Sequence, residues 1–196
     1  MKKLFLLIFI FSIFLKHGSF AHVKHYNNIK SLKYDLYYNN ELIGYHTFNF
    51  TKKNDILEVN GVGFFKVSKL GIDLMNYKSN SHAIYKENQL IKFKSRTTQN
   101  EKKKYVKIDF KENSLNIDGS SFKGKAHRNN LISSLWNHEI VTKNKQISAV
   151  SGRIINQKVN YLGKKKININ NMTFDALNFH IFSNDNKPLK EKKLNI

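Results

Sequence analysis

The sequence contains no cysteine, which excludes disulfide scaffolds, thiolate zinc sites and cysteine nucleophiles. It contains one proline in 196 residues, so collagen-like and proline-rich linker proteins are excluded as well. Acidic residues are few: 14 Asp and Glu stand against 34 Lys and Arg, a formal net charge of +20. Because 40% of the residues are hydrophobic, the chain is not a disordered tail, and its length suits one domain.

Long apolar runs are missing except at the N-terminus. Residues 4–15 are almost entirely Leu, Ile and Phe, a basic start precedes them, and Ser19 and Ala21 provide the small residues of a cleavage site. This layout predicts a secretory signal peptide over residues 1–21, since a membrane span needs about 20 apolar residues. We therefore expect an exported protein in which residues 22–29 lead into the fold. An uncleaved membrane anchor is the alternative.

The excess of lysine has two interpretations. A basic surface attracts polyanions such as nucleic acid or an anionic lipid surface. However, only three basic residues are arginine, the side chain best suited to phosphate, and the lysines are spread over predicted turns and the C-terminal tail. We therefore expect solvated lysines and no nucleic-acid partner. Docking to an envelope protein or an anionic membrane surface through these lysines is the alternative.

From residue 30 onward, apolar and polar residues alternate with a period of two, which predicts half-buried β-strands joined by short polar turns. We expect one all-β domain over residues 30–182, a single curled antiparallel sheet of half-barrel or open-barrel type, followed by a polar basic tail at 183–196. The predicted strands are 32–38, 42–51, 56–67, 72–85, 90–99, 103–111, 114–117, 120–123, 148–159 and 167–182.

Some local patterns refine this prediction. Asp118-Gly119 is a strong hairpin-turn pattern, residues 163–166 predict another turn, and Gly61 and Gly63 inside a strand indicate a bulge or bend. One segment changes to helical spacing, which predicts a short helix near residues 129–138 with Asn129 or Asn130 as its N-cap. The residues at helical spacing are Leu131, Ile132, Leu135, Trp136 and Ile140.

No motif for catalysis or metal binding is present. None of the eight histidines pairs at i and i+4, and the sequence contains no HExxH, no GxSxG and no phosphate-binding glycine loop. We therefore expect no metal, no cofactor and no enzymatic activity. The enzyme alternative would require a polar cluster around Arg96, His46 or Asn137 in a pocket.

Aromatic residues are numerous, with 15 Phe, 9 Tyr and one Trp. Most should fill a β core, but a curled sheet with inward aromatic side chains also leaves an apolar cavity. We therefore expect a non-catalytic protein whose concave face binds a lipid, another apolar ligand or a partner's segment. This hypothesis predicts a dry cavity lined by residues such as Phe48, Phe93, Phe110 and Trp136. The candidate ligand-binding residues are Phe48, Phe93, Arg96, Phe110, Trp136 and Asn137.

Several stretches occur in the order found in an uncharacterised family of exported Gram-negative β-proteins. They are residues 34–37, 42–46, 77–90, 95–97, 135–137, 151–152 and Ala176. The chain resembles this family, which implies a curled sheet similar in outline to periplasmic lipoprotein and lipid carriers, and a periplasmic location, but no catalytic residues. The family pattern continues beyond Leu194 into further strands, so we expect a sheet with an uncovered edge.

Overall fold

The computed structural model describes residues 26, 28–169, 171–183 and 194–195; the predicted signal peptide and most of the tail lie outside them. The described chain consists of thirteen strands and a short 3-10 helix, which confirms the all-β class. The strands are β1 (Ser31–Tyr38), β2 (Glu41–Lys53), β3 (Ile56–Lys69), β4 (Ile72–Lys86), β5 (Gln89–Gln99), β6 (Lys102–Lys111), β7 (Ser114–Gly119), β8 (Lys123–His127), β9 (Leu131–Ile132), β10 (Lys145–Ile147), β11 (Ile154–Ile169), β12 (Met172–Ser183) and β13 (Leu194–Asn195).

The first eight strands form one antiparallel sheet in chain order, and β1 and β8 are its edges. This confirms the expected open meander. A second sheet has the order β13-β12-β11-β10-β9, and β9 and β10 are its parallel pair. Two of its strands, β11 and β12, make a long hairpin, so part of the predicted single sheet is a separate ribbon.

Two-residue turns connect most strands of the first sheet, and asparagine is the residue that recurs in them. In four of the asparagine-containing turns both residues have positive φ, the backbone of the type I′ hairpin, whose twist matches that of the strands. Asparagine tolerates this left-handed conformation better than other residues with side chains. These turns are Asn39-Asn40, Glu87-Asn88, Asn100-Glu101 and Glu112-Asn113.

Two predicted turns are wrong. Asp118 and Gly119 belong to β7, and the chain turns at residues 120–122 instead. The glycine serves a close approach: a Cβ on Gly119 would lie 2.5 Å from the carbonyl oxygen of Ser151. Residues 163–166 continue β11, where a register shift absorbs one extra residue before Gly163.

The predicted helix also differs. Leu131 and Ile132 form β9, and the 3-10 helix His138–Thr142 begins later, with Asn137 rather than Asn129 or Asn130 at its start. The Oδ1 of Asn137 accepts a hydrogen bond from the Glu139 N–H at 3.0 Å. The helical spacing therefore reflects burial of one side of an extended segment that crosses the sheet, and not helical hydrogen bonding.

The core lies between the concave face of the first sheet and this crossing segment, residues 131–149, which we call the covering segment. Trp136 is 4% exposed and meets the rings of Tyr26, Phe50 and Tyr85 edge-on, at centroid distances of 5.0, 5.5 and 5.6 Å. The Tyr34 hydroxyl donates to the Leu135 carbonyl oxygen at 3.1 Å. Edge-to-face contacts and buried area thus hold the covering segment against the sheet.

Candidate functional site

The concave face has an inner half that is covered and an outer half that is not. In an antiparallel sheet, directly opposite residues point to the same face, so the strand register divides this face into rows. The inner rows contain the buried apolar residues that pack under the covering segment. The two outer rows run Tyr34, His46, Gly63, Ser79, Thr97, Lys104 and Leu36, Gly44, Phe65, Tyr77, Gln99, Lys102.

The apolar side chains of the outer half are half-buried. Phe65 and Tyr77 stack at a centroid distance of 4.8 Å, and β3 and β4 continue beyond them with Val67 opposite Met75. Leu36, on β1, lies in the same row as Phe65. None of these five residues belongs to the buried core or to the side chains packed against it. The outer half is therefore an apolar surface that the described part of the chain leaves partly open.

A small cavity lies where the two halves meet. Its volume is about 40 Å³, room for about three water molecules. Nine of its sixteen lining residues are aromatic or aliphatic and six are Ser or Thr, so this cavity is small and partly polar and not the dry cavity expected from the sequence. The cavity is lined by His46, Phe48, Val59, Tyr77, Ser79, Ser81, Ala83, Tyr85, Phe93, Ser95, Thr97, Ile132, Ser133, Ser134, Trp136 and Ala149.

Two aromatic rings of β2 lie against glycines of β3 at one side of this cavity. A Cβ on Gly61 would be 3.1 Å from the Phe48 ring, and one on Gly63 would be 3.3 Å from the His46 ring. The two rings stack on each other at 4.2 Å. The predicted bulge at these glycines is wrong, because the register of β3 is continuous there with both neighbours. The glycines instead leave space for flat rings.

Burial lowers the pKa of His46 to about 4, so its imidazole is neutral at pH 7. It is the one residue of the enzyme alternative that lines the small cavity, together with the hydroxyls of Ser79 and Thr97. Among the described residues, no hydrogen bond with a hydroxyl involves His46, and a nucleophile paired with a base is therefore not formed in this geometry. The described residues also contain no group of three or more potential metal ligands.

The hydroxyl of Thr97 is unusual. Thr97 is 3% exposed, and its Oγ1 has no hydrogen-bond partner among the described residues. The neighbouring hydroxyl on β5 is satisfied, since Ser95 donates to the carbonyl oxygen of Ala149. A buried polar atom without a partner costs free energy, and such an atom in a cavity indicates a place for a ligand or for water.

The structure brings three of the six predicted ligand-binding residues together: Phe48, Phe93 and Trp136 all line the small cavity. The other three lie elsewhere. Arg96 is exposed on the convex face, opposite Asn80 and Tyr105. Phe110 packs against the core with the Arg128 guanidinium 5.5 Å from its ring centre, and Asn137 caps the 3-10 helix.

Sequence reasoning missed the residues of the outer half. It named neither Phe65 nor Tyr77 as ligand-binding residues, and it missed the polar residues Ser79, Thr97 and Lys104. The alternation of inward and outward residues along β5 could have revealed Thr97, because Ser95 and Thr97 share the face of Phe93. Small polar residues that follow apolar residues on the same face of a strand indicate where the packed core ends and a binding site can begin. Lys104 required the register of β5 and β6, which a single sequence does not provide.

A second, larger cleft of about 660 Å³ lies at the opposite end of the sheet, beside the Glu87-Asn88 turn. Its one arginine is engaged with neighbouring side chains and is 5.5 Å from the ring centre of Phe110. The Nη1 of Arg128 donates to Asn113 Oδ1 at 2.7 Å, and its Nε donates to Gln89 Oε1 at 3.2 Å. We therefore regard the outer half of the concave face as the better candidate site.

The end of the sheet where the outer half opens also exposes large apolar side chains. They lie on the tips of the β1–β2 and β3–β4 hairpins, and Leu70, at the β3–β4 turn, is 93% exposed with a positive φ. Contiguous exposed apolar side chains mark sites that bind partners or apolar phases. The exposed residues are Tyr37, Tyr38, Leu42, Leu70, Ile72 and Leu74.

Comparison with family models gives a match over residues 34–194 to a domain of unknown function (DUF6134). The chain belongs to this family. The match covers every strand of the first sheet except the start of β1, and it confirms the predicted membership of an uncharacterised family. No curated protein and no solved structure matches the chain. No helix of the described residues is long and apolar enough to cross a membrane.

Proposed function

We propose that this DUF6134 protein is a non-catalytic binding protein of the periplasm of a Gram-negative bacterium, and that the outer half of its concave face binds the apolar part of a ligand. The export and the location rest on the signal-peptide pattern of residues 1–21. The binding role rests on the contrast between the two halves of the concave face.

The observation that carries the proposal is that one continuous face is sealed at one end and open at the other. Under the covering segment, Ile108 and Leu115 are fully buried. On the same face, Phe65 and Tyr77 form an apolar wall that is only half-buried and that leads into the small cavity. A ligand chain that covers this wall would remove apolar area from water, at roughly 25 cal/mol per Å².

The small cavity limits the mode of binding. A volume of about 40 Å³ has room for only a few water-sized groups, so a ligand chain would lie along the open wall and place only its end in the cavity. The exposed apolar hairpin tips at the same end favour a ligand that comes from an apolar phase. An apolar segment of a partner protein is the alternative occupant, and the docking of scattered lysines to an anionic surface is a separate alternative.

Binding can be followed without a label, because Trp136 is the only tryptophan and it lines the cavity. We expect N-phenyl-1-naphthylamine, a neutral apolar probe, to change the emission of Trp136 and to bind with saturation. Phe65→Ser should weaken this binding at least about tenfold. Phe64→Ser is the matched control, because the two residues are consecutive and Phe64 lies on the convex face, 37% exposed.

Equal effects of the two substitutions, or no saturable binding, would contradict the proposal. Native mass spectrometry of the protein recovered from its own exported compartment identifies the occupant. A releasable lipid-sized adduct would support an apolar ligand. A bound peptide would instead show that the occupant is a segment of a partner protein.

A further inference from the structure

The outer rows carry positive charge at one end and no negative charge anywhere. Both rows end on β6 in a lysine, Lys102 or Lys104, and neither row contains a carboxylate. Several carboxylates of these strands lie on the convex face, where they pair with cations. The pairs are Asp35 with Lys33, Glu58 with His82, Asp109 with Lys92, and Asp118 with Lys123.

Lys104 is paired in register with a residue that lines the cavity. Its side chain is half-buried, and its Nζ donates a hydrogen bond at 2.9 Å to Gln99 Oε1, a neutral amide. None of the ion pairs among the described residues includes it. A partly desolvated ammonium without a counter-charge favours an anion nearby.

Thr97 lies directly opposite Lys104 on β5, on the same face. Directly opposite residues of antiparallel strands have Cβ atoms about 4.5–5.5 Å apart. The Cβ atoms of Thr97 and Lys104 are therefore neighbours, and an unpartnered hydroxyl and an ammonium extend from them on the same face. An anionic oxygen group would accept from both, and the apolar wall of Tyr77 and Phe65 begins next to them in the same rows.

We propose that the ligand is an anionic amphiphile, with its head group at Lys104 and Thr97 and its apolar chain along Tyr77 and Phe65. This inference rests on the proposed function and names the class of its ligand. The register supplies the required order across the sheet, with the apolar wall on β3 and β4 and the two donors on β5 and β6. Carboxylate and phosphate heads share the chemistry that a lysine and a hydroxyl recognise.

The test compares ligands with the same twelve-carbon chain, each below its micelle concentration, on the full exported chain. Dodecanoate, dodecyl phosphate and the uncharged dodecyl maltoside are titrated against the emission of Trp136, and acetate and inorganic phosphate serve as anions without a chain. We expect an anionic amphiphile to bind at least about tenfold more tightly than dodecyl maltoside, and the bare anions not to bind. Which of the two anionic ligands binds more tightly separates a carboxylate head from a phosphate head.

Two substitutions locate the head group. Lys104→Gln should weaken binding of the anionic amphiphile about tenfold and leave dodecyl maltoside unchanged, while Lys107→Gln, on the convex face of the same strand, should change neither. Thr97→Val should weaken anionic binding as well. Equal affinities for charged and uncharged ligands, or equal effects of the two lysine substitutions, would overturn the anionic head group and leave the proposed function standing. If none of the three twelve-carbon ligands bound, both the anionic head group and the proposed function would be contradicted.

Discussion

Replacing Thr97 by valine should stabilise the free protein even though it removes a polar group from the candidate site. Thr97 is 3% exposed, and its Oγ1 has no partner among the described residues. Valine has nearly the same shape and no polar atom to desolvate. A buried hydroxyl without a partner costs about 1–3 kcal/mol, so the free energy of unfolding should rise by about that amount. At this chain length, about 1 kcal/mol raises Tm by about 2–4 °C.

Urea unfolding followed by the emission of Trp136 measures this change. Thr97→Ser keeps the hydroxyl and loses one buried methyl group, so it should cost about 1 kcal/mol. Thr98→Val is the control, because Thr98 is the exposed neighbour on the convex face and should change stability by less than about 0.5 kcal/mol. A Thr97→Val protein less stable than the parent would refute the reasoning, since it would show that Oγ1 makes a hydrogen bond in the free protein.

Other changes test the fold around the site. Trp136→Ala should cost about 3–5 kcal/mol in urea unfolding, because it opens the centre of the aromatic cluster; a loss below about 1 kcal/mol would contradict this packing. Gly44→Ala should prevent folding or sharply lower Tm in a thermal scan, since its Cβ would overlap the carbonyl oxygen of Phe64. Gly71→Ala is the control, because its Cβ would contact no other atom and would add only backbone strain at a positive φ. Stability should fall as the pH drops from 6.5 towards 4, by up to about 3 kcal/mol from His46, because its pKa is lower in the folded than in the unfolded state. His46→Phe should remove that part of the pH dependence in urea titrations, and an unchanged slope would show that the imidazole is not desolvated.

The alternation of apolar and polar residues was sufficient to predict the strands of the first sheet. The period of two in β6, for example, places Val106, Ile108 and Phe110 on one face, as observed. Glycine was a poorer guide, because it occurs both in turns and where another group approaches closely. Gly119 and Gly61 serve the second purpose, and the groups that approach them, Ser151 and the Phe48 ring, are distant or on another strand.

The sequence predicted residues around the small cavity but not the residues of the outer half. Phe48, Phe93 and Trp136 follow from the expectation that inward aromatic side chains surround a cavity. Arg96 could not be assigned to a face by its residue type, although the alternation from Phe93 places it outward. Asn137 is a predicted ligand-binding residue, but its short polar side chain stands before a helical turn and serves as a cap.

The two halves of the concave face differ in how completely local physical requirements are met, and this difference supports a binding role. In the inner half, buried hydroxyls find partners, as Ser95 does, and aromatic rings meet edge-on. In the outer half, a buried hydroxyl lacks a partner, an ammonium lacks a counter-charge, and aromatic rings remain half-buried. A sequence selected for stability alone would replace Thr97 by an apolar residue, and natural proteins tend to keep such costs where function requires them. Because the unpartnered hydroxyl, the ammonium without a counter-charge and the open apolar wall lie in the same two rows, a single amphiphilic ligand would satisfy all three.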